Sequence, residues 1–381
     1  MERIDKDLAF MLQFENIAWY EEGIVKILDR RVYPNKINFV ECKTYKEVSK
    51  AIADMITQSA GPYLAVAMGM ALAGYEAKNL QGEDKIKFLK NACDTLANSR
   101  PTTSARMMSI TKNCLDAGID AINKNKDSNE IIEAIFNKGI ELSTKRYSKI
   151  KKMAEYLVSM FPSKGTILTQ CFGESIVGFM IREFQKQNKD IKIICAETRP
   201  YFQGARLTAT VAFEQNADTT VITDNMIAYT MREKKVDIFT SAADLICLNG
   251  AVVNKIGTYQ IAIISKYLGV PYFVTGAPDK SHRGFEDIEF EFRDEKLVTE
   301  AMGVKTAREG VKGFYPAFDY TPPHLVSAII TDLGIFSPYD VFKYYENNSE
   351  GEYLFYKYKL ASSPNLLSIF LKAYNCLERS Y

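Results

Sequence analysis

Apolar and polar residues follow two different periods along the chain, and the change comes near Pro162. From about Thr44 the apolar residues recur every three or four positions, which is typical of helices with one buried face. The first stripe holds Val48, Ile52 and Ile56. Other helical patterns cover residues 85–97, 103–123 and 128–161. Before them, the segment "GIVKILDRRVYP" alternates apolar and polar positions, which is typical of a strand. Together these patterns predict a small strand element followed by a helical bundle in the N-terminal region.

After this change, short runs rich in β-branched residues alternate with helical segments. The runs are "GTILTQC", "IKIICAE", "TTVITD", "VDIFTSAAD" and "VPYFVTG". The helical segments between them cover residues 175–188, 203–216, 225–234 and 258–268. Strands and helices that alternate at this spacing predict a parallel sheet covered on both faces.

The expected fold class is therefore α/β, with three regions along the chain. Residues 1–161 form the strand and helical-bundle domain. Residues 162–338 form a doubly wound, mostly parallel, Rossmann-like catalytic domain. Residues 339–381 form an aromatic-rich C-terminal extension, rich in Tyr and Phe.

Composition changes this picture mainly by exclusion. The net charge is +1, from 48 basic and 47 acidic residues, so no field of one sign attracts nucleic acid or a membrane surface. The seven cysteines are scattered without a CxxC pair, which argues against a disulfide framework or a zinc site. The N-terminal residues are too charged for a signal peptide, and no apolar run approaches membrane-spanning length. We therefore expect a cytoplasmic protein that binds neither nucleic acid nor membrane.

Polar side chains follow each predicted strand, at the edge where parallel sheets bind their ligands. Cys171 ends the first run, the segment Glu197–Arg199 follows the second, and Asp244 follows the fourth. A lone cysteine in such a place is more often a buried apolar residue than a catalyst. Asp244 could equally be a turn or helix-cap residue. The pattern alone leaves both alternatives open.

Longer blocks around these residues resemble one enzyme family. The segments "ILDRRVYP", "SRPT", "ILTQC", "ETRPYFQGARLT", "AAD…NGAVVNKIGTYQ" and "YPAFDYTPPHLVSAIITDLGI" occur in the order found in methylthioribose-1-phosphate isomerases. That family shares its fold with ribose-1,5-bisphosphate isomerases and with regulatory subunits of the eukaryotic translation-initiation exchange factor. The resemblance runs from about Trp19 to Pro338.

The resemblance implies an aldose–ketose isomerisation of a five-carbon sugar 1-phosphate. The family's catalytic cysteine and aspartate match Cys171 and Asp244. Because the anomeric phosphate blocks simple ring opening, an acid must protonate the ring oxygen and a base must move the C2 proton to C1. Asp244 is expected as the acid and Cys171 as the base. A hydride shift, with the cysteine only stabilising charge, remains open.

The resemblance also implies substrate-binding positions, which carry over unevenly. Arg100, Gln203, Asn254 and Lys255 match the family's ligand contacts. The arginine of the family's "RGAPA" segment is absent from "QSAGPYLA", where Gln58 lies nearest in register. Two further changes are an alanine in place of the family's "NGD" aspartate and "QCF" in place of "HCN" around the cysteine. A neutral side chain does not reproduce a bidentate arginine–phosphate contact, so the identity of the sugar stays open.

Several functions follow from these matches. S-methyl-5-thioribose 1-phosphate is the leading substrate, and 5-deoxyribose 1-phosphate and ribose 1,5-bisphosphate are alternatives. No metal or nucleotide cofactor is expected. The family implies a homodimer. A non-catalytic protein that senses ligands, like the initiation-factor subunits, and a degenerate enzyme that keeps both residues by descent are the competing classes.

Overall fold

A computed structural model describes residues 3–100, 104–288 and 291–346. The expectations for the "SRPT" segment beyond Arg100 and for the C-terminal extension from residue 347 lie outside these residues. The strands are β1 Ala18–Glu21, β2 Ile24–Leu28, β3 Phe39–Cys42, β4 Lys164–Gln170, β5 Asp190–Ala196, β6 Asp218–Ile222, β7 Ile238–Ala242, β8 Leu245–Ile246, β9 Val252–Lys255, β10 Tyr272–Thr275, β11 Glu300–Ala301, β12 Val304–Lys305, β13 Phe318–Thr321, β14 Ala328–Ile330 and β15 Ile335–Phe336. The α-helices are α1 Phe14–Ile17, α2 Tyr45–Ala53, α3 Gly61–Glu76, α4 Gly82–Ala97, α5 Ser104–Asn123, α6 Ser128–Ser159, α7 Ser175–Lys186, α8 Ala209–Glu214, α9 Ile227–Glu233, α10 Thr258–Leu268 and α11 Lys296–Thr299.

The N-terminal part is a three-stranded antiparallel sheet, in the order β1-β2-β3, followed by the bundle α2–α6. The longest helix, α6, begins at a capping box. The Asp127 side chain accepts a hydrogen bond from the Glu130 amide, and the Glu130 side chain accepts one from the Asp127 amide. Helix α3 is rich in alanine and glycine, which lets it lie in the centre of the bundle with most of its residues buried. In the described part of the chain, no helix is both long and apolar enough for a membrane span.

The main sheet confirms the expected doubly wound α/β class. Its seven strands lie in the order β15-β14-β10-β7-β4-β5-β6, and all neighbours are parallel except β14 and β15. The chain enters at β4 and winds outward through β5 and β6. It then returns to β7, on the other side of β4, and winds outward through β10 and β14. The chain therefore leaves the carboxyl ends of β4 and β7 in opposite directions along the sheet. Such a change of direction leaves a crevice between the two strand ends.

A second, three-stranded sheet stands beyond that crevice, in the order β13-β9-β8. All of its pairs are antiparallel, and Asn254 lies opposite Asp319 in the β9–β13 register. The sequence pattern does not predict these strands, because they are short and β13 joins the sheet from far along the chain. Their position matters because β8 begins directly after Asp244.

Two apolar clusters cover the two faces of the main sheet. One contains Ile167 and Ile193 from the sheet together with α7, α8 and the buried residues of the helical bundle. The other contains Leu168 and Phe239 together with α9 and α10. Adjacent residues of β4 thus point into different clusters, as the alternation of side chains along a strand requires. The N-terminal bundle therefore packs as part of the layer on one face of the sheet.

Candidate functional site

Cys171 and Asp244 follow the two central strands of the main sheet. Cys171 comes directly after β4, and Asp244 lies two residues after β7. The two strands are parallel neighbours, with Thr169 opposite Thr240 in the register. Their carboxyl ends form the crevice where the chain reverses its winding direction, which is the usual ligand site of such sheets. The structure thus places the expected catalytic pair on the two sides of one crevice.

The backbone of Cys171 adopts the left-handed conformation, with φ of 58°. This conformation is costly for a residue with a side chain, and surrounding hydrogen bonds must hold it. The Cys171 amide donates to Thr198 Oγ1 at 2.8 Å. The Thr208 hydroxyl donates to the Cys171 carbonyl oxygen. Two threonine hydroxyls, from the segments after β5 and before α8, therefore fix the peptide units on both sides of the thiol.

Gly204 opens the segment that carries Thr208, and it permits close packing there. Gly204–Thr208 forms a π-helix, a rare element that often marks functional sites. A Cβ atom on Gly204 would lie 1.7 Å from the carbonyl oxygen of Ala196, so only glycine fits. The sequence pattern predicts one regular helix over residues 203–216 and misses this distortion.

Gly204→Ala is therefore expected to destabilise the protein by about 1–3 kcal/mol, the usual cost of overpacking. It should also lower turnover, because a shift of the segment moves Thr208 away from Cys171. Urea unfolding and steady-state kinetics on the same samples test this expectation. Unchanged stability would mean that the backbone relieves the clash without cost.

A hydrogen-bond network beneath the thiol joins β4 to β9 and α10. Gln170 Nε2 donates to the Lys255 carbonyl oxygen at 3.1 Å and also contacts the Thr258 hydroxyl. Asn254 Nδ2 donates to Thr258 Oγ1 at 3.1 Å. The Thr258 hydroxyl donates to the Lys255 carbonyl oxygen at 2.7 Å. Asn254 is buried in this network, and its side chain holds the Thr258 hydroxyl in the wall of the crevice.

Asp244 connects the main sheet to the second sheet. Its amide donates to the Val253 carbonyl oxygen at 3.0 Å, and this bond joins the end of β7 to β9. Asp244 is exposed by its surface area. The protein atoms around its carboxyl raise the pKa of Asp244 by desolvation, while Lys255 and Arg100 lower it.

Cys171 lies in the same electrostatic environment. Burial raises the pKa of its thiol to about 11, Lys255 opposes that rise, and Asp244 adds to it. Because Asp244 raises the pKa of the thiol, and Lys255 lowers the pKa of both groups, the thiol and the carboxyl share one cluster of charges. At neutral pH the cysteine is therefore a protonated thiol in the unliganded protein.

Lys255 is the central cation of the crevice. Its side chain is buried, and Nζ donates to the Ala317 carbonyl oxygen at 2.9 Å and lies 4.4 Å from the centre of the Phe318 ring. Burial lowers the pKa of Lys255, whereas Cys171 and Asp244 raise it. Lys255 is therefore part of the crevice wall and not an exposed turn residue.

Arg293 is a site residue that the sequence pattern did not indicate. Its Nε donates to Glu291 Oε1 at 2.6 Å, and its guanidinium lies 5.6 Å from the ring centres of both Tyr201 and Phe318. Arg293 lowers the pKa of both Cys171 and Asp244, so it belongs to the same cluster of charges. It comes from an irregular, charged segment without a recognisable motif, so its sequence held no signal for a site.

The other expected substrate contacts are distributed unevenly. Arg100 lies close enough to Asp244 and Arg293 for both to affect its pKa, which burial lowers. The Gln203 Oε1 atom is buried without a hydrogen-bond partner in the described part of the chain. Gln58, in contrast, donates from Nε2 to the Met55 carbonyl oxygen at 3.3 Å. The Gln58 side chain thus closes the turn that begins at Met55.

A buried ion pair holds the loop that follows the thiol. Arg30 Nη2 and Glu174 Oε1 are 2.9 Å apart, and both side chains are almost completely buried. Glu174 Oε2 also accepts from the Ala60 amide, one residue before α3, at 2.5 Å. Arg30 Nη1 donates to the Gln58 carbonyl oxygen at 2.7 Å. Glu174 therefore joins the loop after Cys171 to the segment that follows the N-terminal strand β2 and to the start of α3.

Two further polar residues, Asp319 and Arg199, have defined partners. Asp319 Oδ2 accepts from the amides of Gly257 and Tyr259, so the amides that open α10 hold a carboxylate of the chain itself. Burial raises the pKa of Asp319 to about 6. Arg199 donates to the carbonyl oxygens of three residues of the segment that contains α11, namely Leu297, Val298 and Glu300.

The crevice therefore contains two proton-carrying groups, a thiol and a carboxyl, surrounded by cations. Such a set can bind a phosphate and exchange protons with a bound sugar. Among the described residues, no group of three or more His, Cys, Asp or Glu side chains could hold a metal ion.

Comparison with known proteins shows the family of the chain. The Initiation factor 2 subunit family matches residues 59–338. Methylthioribose-1-phosphate isomerase 1 of Pseudothermotoga lettingae is 35% identical over 335 residues, which cover 84% of this chain and 94% of that protein.

Two solved structures have the same fold over most of the chain. The 5-methylthioribose 1-phosphate isomerase of Pyrococcus horikoshii OT3 has a TM-score of 0.76 at 27% identity, covering 87% of this chain and 96% of that one. The translation initiation factor eIF-2B, subunit delta, of A. fulgidus has a TM-score of 0.75 at 30% identity, covering 85% and 96%. The curated relatives confirm the enzyme class expected from the sequence, an isomerase. The chain belongs to the Initiation factor 2 subunit family.

Proposed function

We propose that the protein is a sugar-phosphate isomerase that converts a five-carbon aldose 1-phosphate to the ketose 1-phosphate, with S-methyl-5-thioribose 1-phosphate as the leading substrate. The observation that carries this proposal is the placement of Cys171 and Asp244 at adjacent strand ends, at the crevice of the sheet. Relatives that bear the name of this activity match most of the chain.

Each step of the reaction has a candidate group in the crevice. Lys255 and Arg100 bind the 1-phosphate, because both are cations beside Asp244. Asp244 donates a proton to the ring oxygen, and its raised pKa suits this role. The open-chain sugar then loses the C2 proton to the Cys171 thiolate, and the thiol returns this proton to C1. The 2-hydroxyl proton passes to the Asp244 carboxylate as the C2 carbonyl forms, which restores both groups. The alternative is a hydride shift from C2 to C1, in which the thiol stays protonated.

The pH dependence of turnover separates the two routes. Because the pKa of Cys171 is about 11, the thiolate fraction rises about tenfold with each pH unit between neutral pH and pH 10. The ring-opening step also needs the proton of Asp244, and the protonated fraction of this carboxyl falls as the pH rises above its pKa. If the thiolate is the base, the two changes offset each other, and we expect kcat/KM to stay level between the pKa values of Asp244 and Cys171. A pH–rate profile with a substrate of constant ionisation measures it. A fall of about tenfold per pH unit over this range contradicts the base role and favours the hydride shift, which needs the Asp244 proton and a protonated thiol.

The substrate is tested by incubating the purified protein with a panel of pentose 1-phosphates. S-methyl-5-thioribose 1-phosphate, 5-deoxyribose 1-phosphate and ribose 1,5-bisphosphate differ only at C5. We expect conversion of at least one, with the first giving the highest kcat/KM. If none is converted while one binds tightly, the isomerase proposal fails.

A non-catalytic, ligand-sensing function is the second candidate. The similarity to the A. fulgidus initiation-factor subunit, at a TM-score of 0.75, favours it. The proton-carrying pair in the crevice favours the enzyme, because a sensor needs cations to hold a phosphate but no acid–base groups. The same substrate panel distinguishes the two functions, since a sensor binds without converting.

We extend the proposal to a homodimer. An exposed apolar stripe on α10, formed by Tyr259, Ile263 and Tyr267 at intervals of four residues, supports a contact between two copies. Sedimentation of the full-length protein tests it. Tyr267→Lys should shift the protein toward the monomer, because this side chain is the most exposed of the three.

A further inference from the structure

A cavity of about 490 Å³ lies between α3, α5 and α6, in the helical half of the molecule. This volume is within the range of about 300–1,000 Å³ that is usual for small-molecule sites. Its walls combine apolar residues, such as Phe14, Leu64 and Leu142, with three cations. Arg106 and Lys149 are exposed and Arg146 is half-buried, so the cations line a part of the cavity that a ligand can reach from solvent.

The three cations of the wall are Arg106, Arg146 and Lys149. Lys149 Nζ lies 3.0 Å from Asp332 Oδ2, so its charge is compensated. Arg146 has no carboxylate within ion-pair distance in the described part of the chain. Its guanidinium instead lies over the rings of Tyr63 and Tyr147, 5.5 and 5.7 Å from their centres.

Stacking on two aromatic rings holds a guanidinium in place and leaves its N–H groups free for an anion. Arg106 lies beside the hydroxyl of Tyr63, the same residue that Arg146 covers, so the two arginines face one wall of the cavity. The hydroxyls of Ser109 and Ser143 also line it. Among the residues that the structure describes, no carboxylate lines the cavity, so its lining carries excess positive charge.

We propose that this cavity binds the phosphate monoester of a small molecule, with Arg146 and Arg106 on the phosphate and the apolar wall against the carbon skeleton. Arginine matches the geometry of phosphate oxygens with paired hydrogen bonds, which lysine does not. The cavity is separate from the Cys171 and Asp244 crevice, but Arg106 lies within electrostatic reach of Asp244. The ligand is therefore either the far end of the substrate or a separate phosphorylated metabolite.

Equilibrium dialysis with radiolabelled inorganic phosphate and with ribose 5-phosphate tests the site. We expect Arg146→Met to bind one phosphate fewer per chain than the unmodified protein, or to weaken that binding at least about tenfold. Ser109→Asp, which adds a negative charge to the wall, should have the same effect and guards against misfolding of the first variant. Lys145→Met is the matched control, because this exposed neighbour does not line the cavity.

Unchanged phosphate binding in both variants overturns the proposal. The measured quantity is the difference in phosphate binding between the variants. This test of the cavity therefore holds even if the isomerase proposal fails and the crevice binds nothing. Kinetics then assign the source. In one outcome, Arg146→Met raises KM about tenfold for a pentose 1-phosphate with a charged C5 group but does not change KM for one with an uncharged C5 group. The ligand is then the far end of the substrate. If neither KM changes while ribose 5-phosphate binding is lost, the ligand is a separate metabolite.

Discussion

Cys171→Ser and Asp244→Asn are each expected to lower kcat by about 100-fold to 10,000-fold, the range that general acid–base groups contribute. Serine keeps the size of the side chain but has a far higher pKa than the thiol, so it cannot become the base. Asparagine keeps the shape of Asp244 but cannot donate the proton to the ring oxygen. Single-turnover kinetics on the preferred pentose 1-phosphate measure both losses.

Matched controls separate chemistry from folding. Cys195→Ala changes another cysteine, fully buried in the neighbouring strand β5 and opposite Thr169. Asp237→Asn changes an aspartate just before β7, at the other end of the strand that leads to Asp244, where it accepts from the Thr166 amide. Both controls should keep near-normal kcat. A near-normal rate in Cys171→Ser or in Asp244→Asn would remove that residue from the mechanism.

Glu174→Gln is expected to lower the free energy of unfolding by about 3–5 kcal/mol, the usual cost of removing one partner of a buried ion pair. The guanidinium of Arg30 stays completely buried in the variant and loses the carboxylate that compensates it. Because Glu174 also binds the Ala60 amide, the loop after Cys171 should lose its fixed position. Guanidinium unfolding followed by circular dichroism measures the stability, and kcat reports the loop.

An exposed ion pair serves as the control for this loss. Asp120, near the end of α5, and Lys124, just after this helix, form an ion pair with Oδ2 and Nζ 2.7 Å apart, and both side chains are mostly exposed. Asp120→Asn should change stability by at most about 0.5 kcal/mol, as is usual for such pairs. The double variant Arg30→Met and Glu174→Gln should recover part of the loss, because it no longer buries an uncompensated charge. Equal effects of Glu174→Gln and Asp120→Asn would show that burial adds nothing to the Arg30–Glu174 pair.

Local sequence patterns were sufficient wherever local packing decides the structure. The apolar spacing predicted α10 with the observed limits, Thr258–Leu268, because one face of that helix packs on the sheet. The run before Cys171 predicted β4 within one residue at each end. The order of strands and helices then predicted the doubly wound class, and with it the edge where Cys171 and Asp244 lie.

Patterns of this kind cannot report contacts between distant segments. Nothing near Asn254 indicates that Asp319 will lie opposite it, because each strand has only four residues. Arg293 reaches the crevice from a charged segment without regular spacing. Nothing near Glu174 in the sequence indicates its partner, and its contact with Arg30, 144 positions away, explains why a carboxylate is there.

The packing of the helical bundle against the main sheet has a thermodynamic consequence. One apolar cluster contains buried residues of α3 and α6 together with Ile167 and Ile193 of the sheet, so neither part can unfold without exposing the apolar surface of the other. Exposure of that surface is costly, at about 25 cal/mol for each Å². A partly unfolded state that keeps only the sheet is therefore poorly populated. Heat and denaturant should melt the protein in one cooperative transition, and loss of the crevice between β4 and β7 should coincide with loss of the helices.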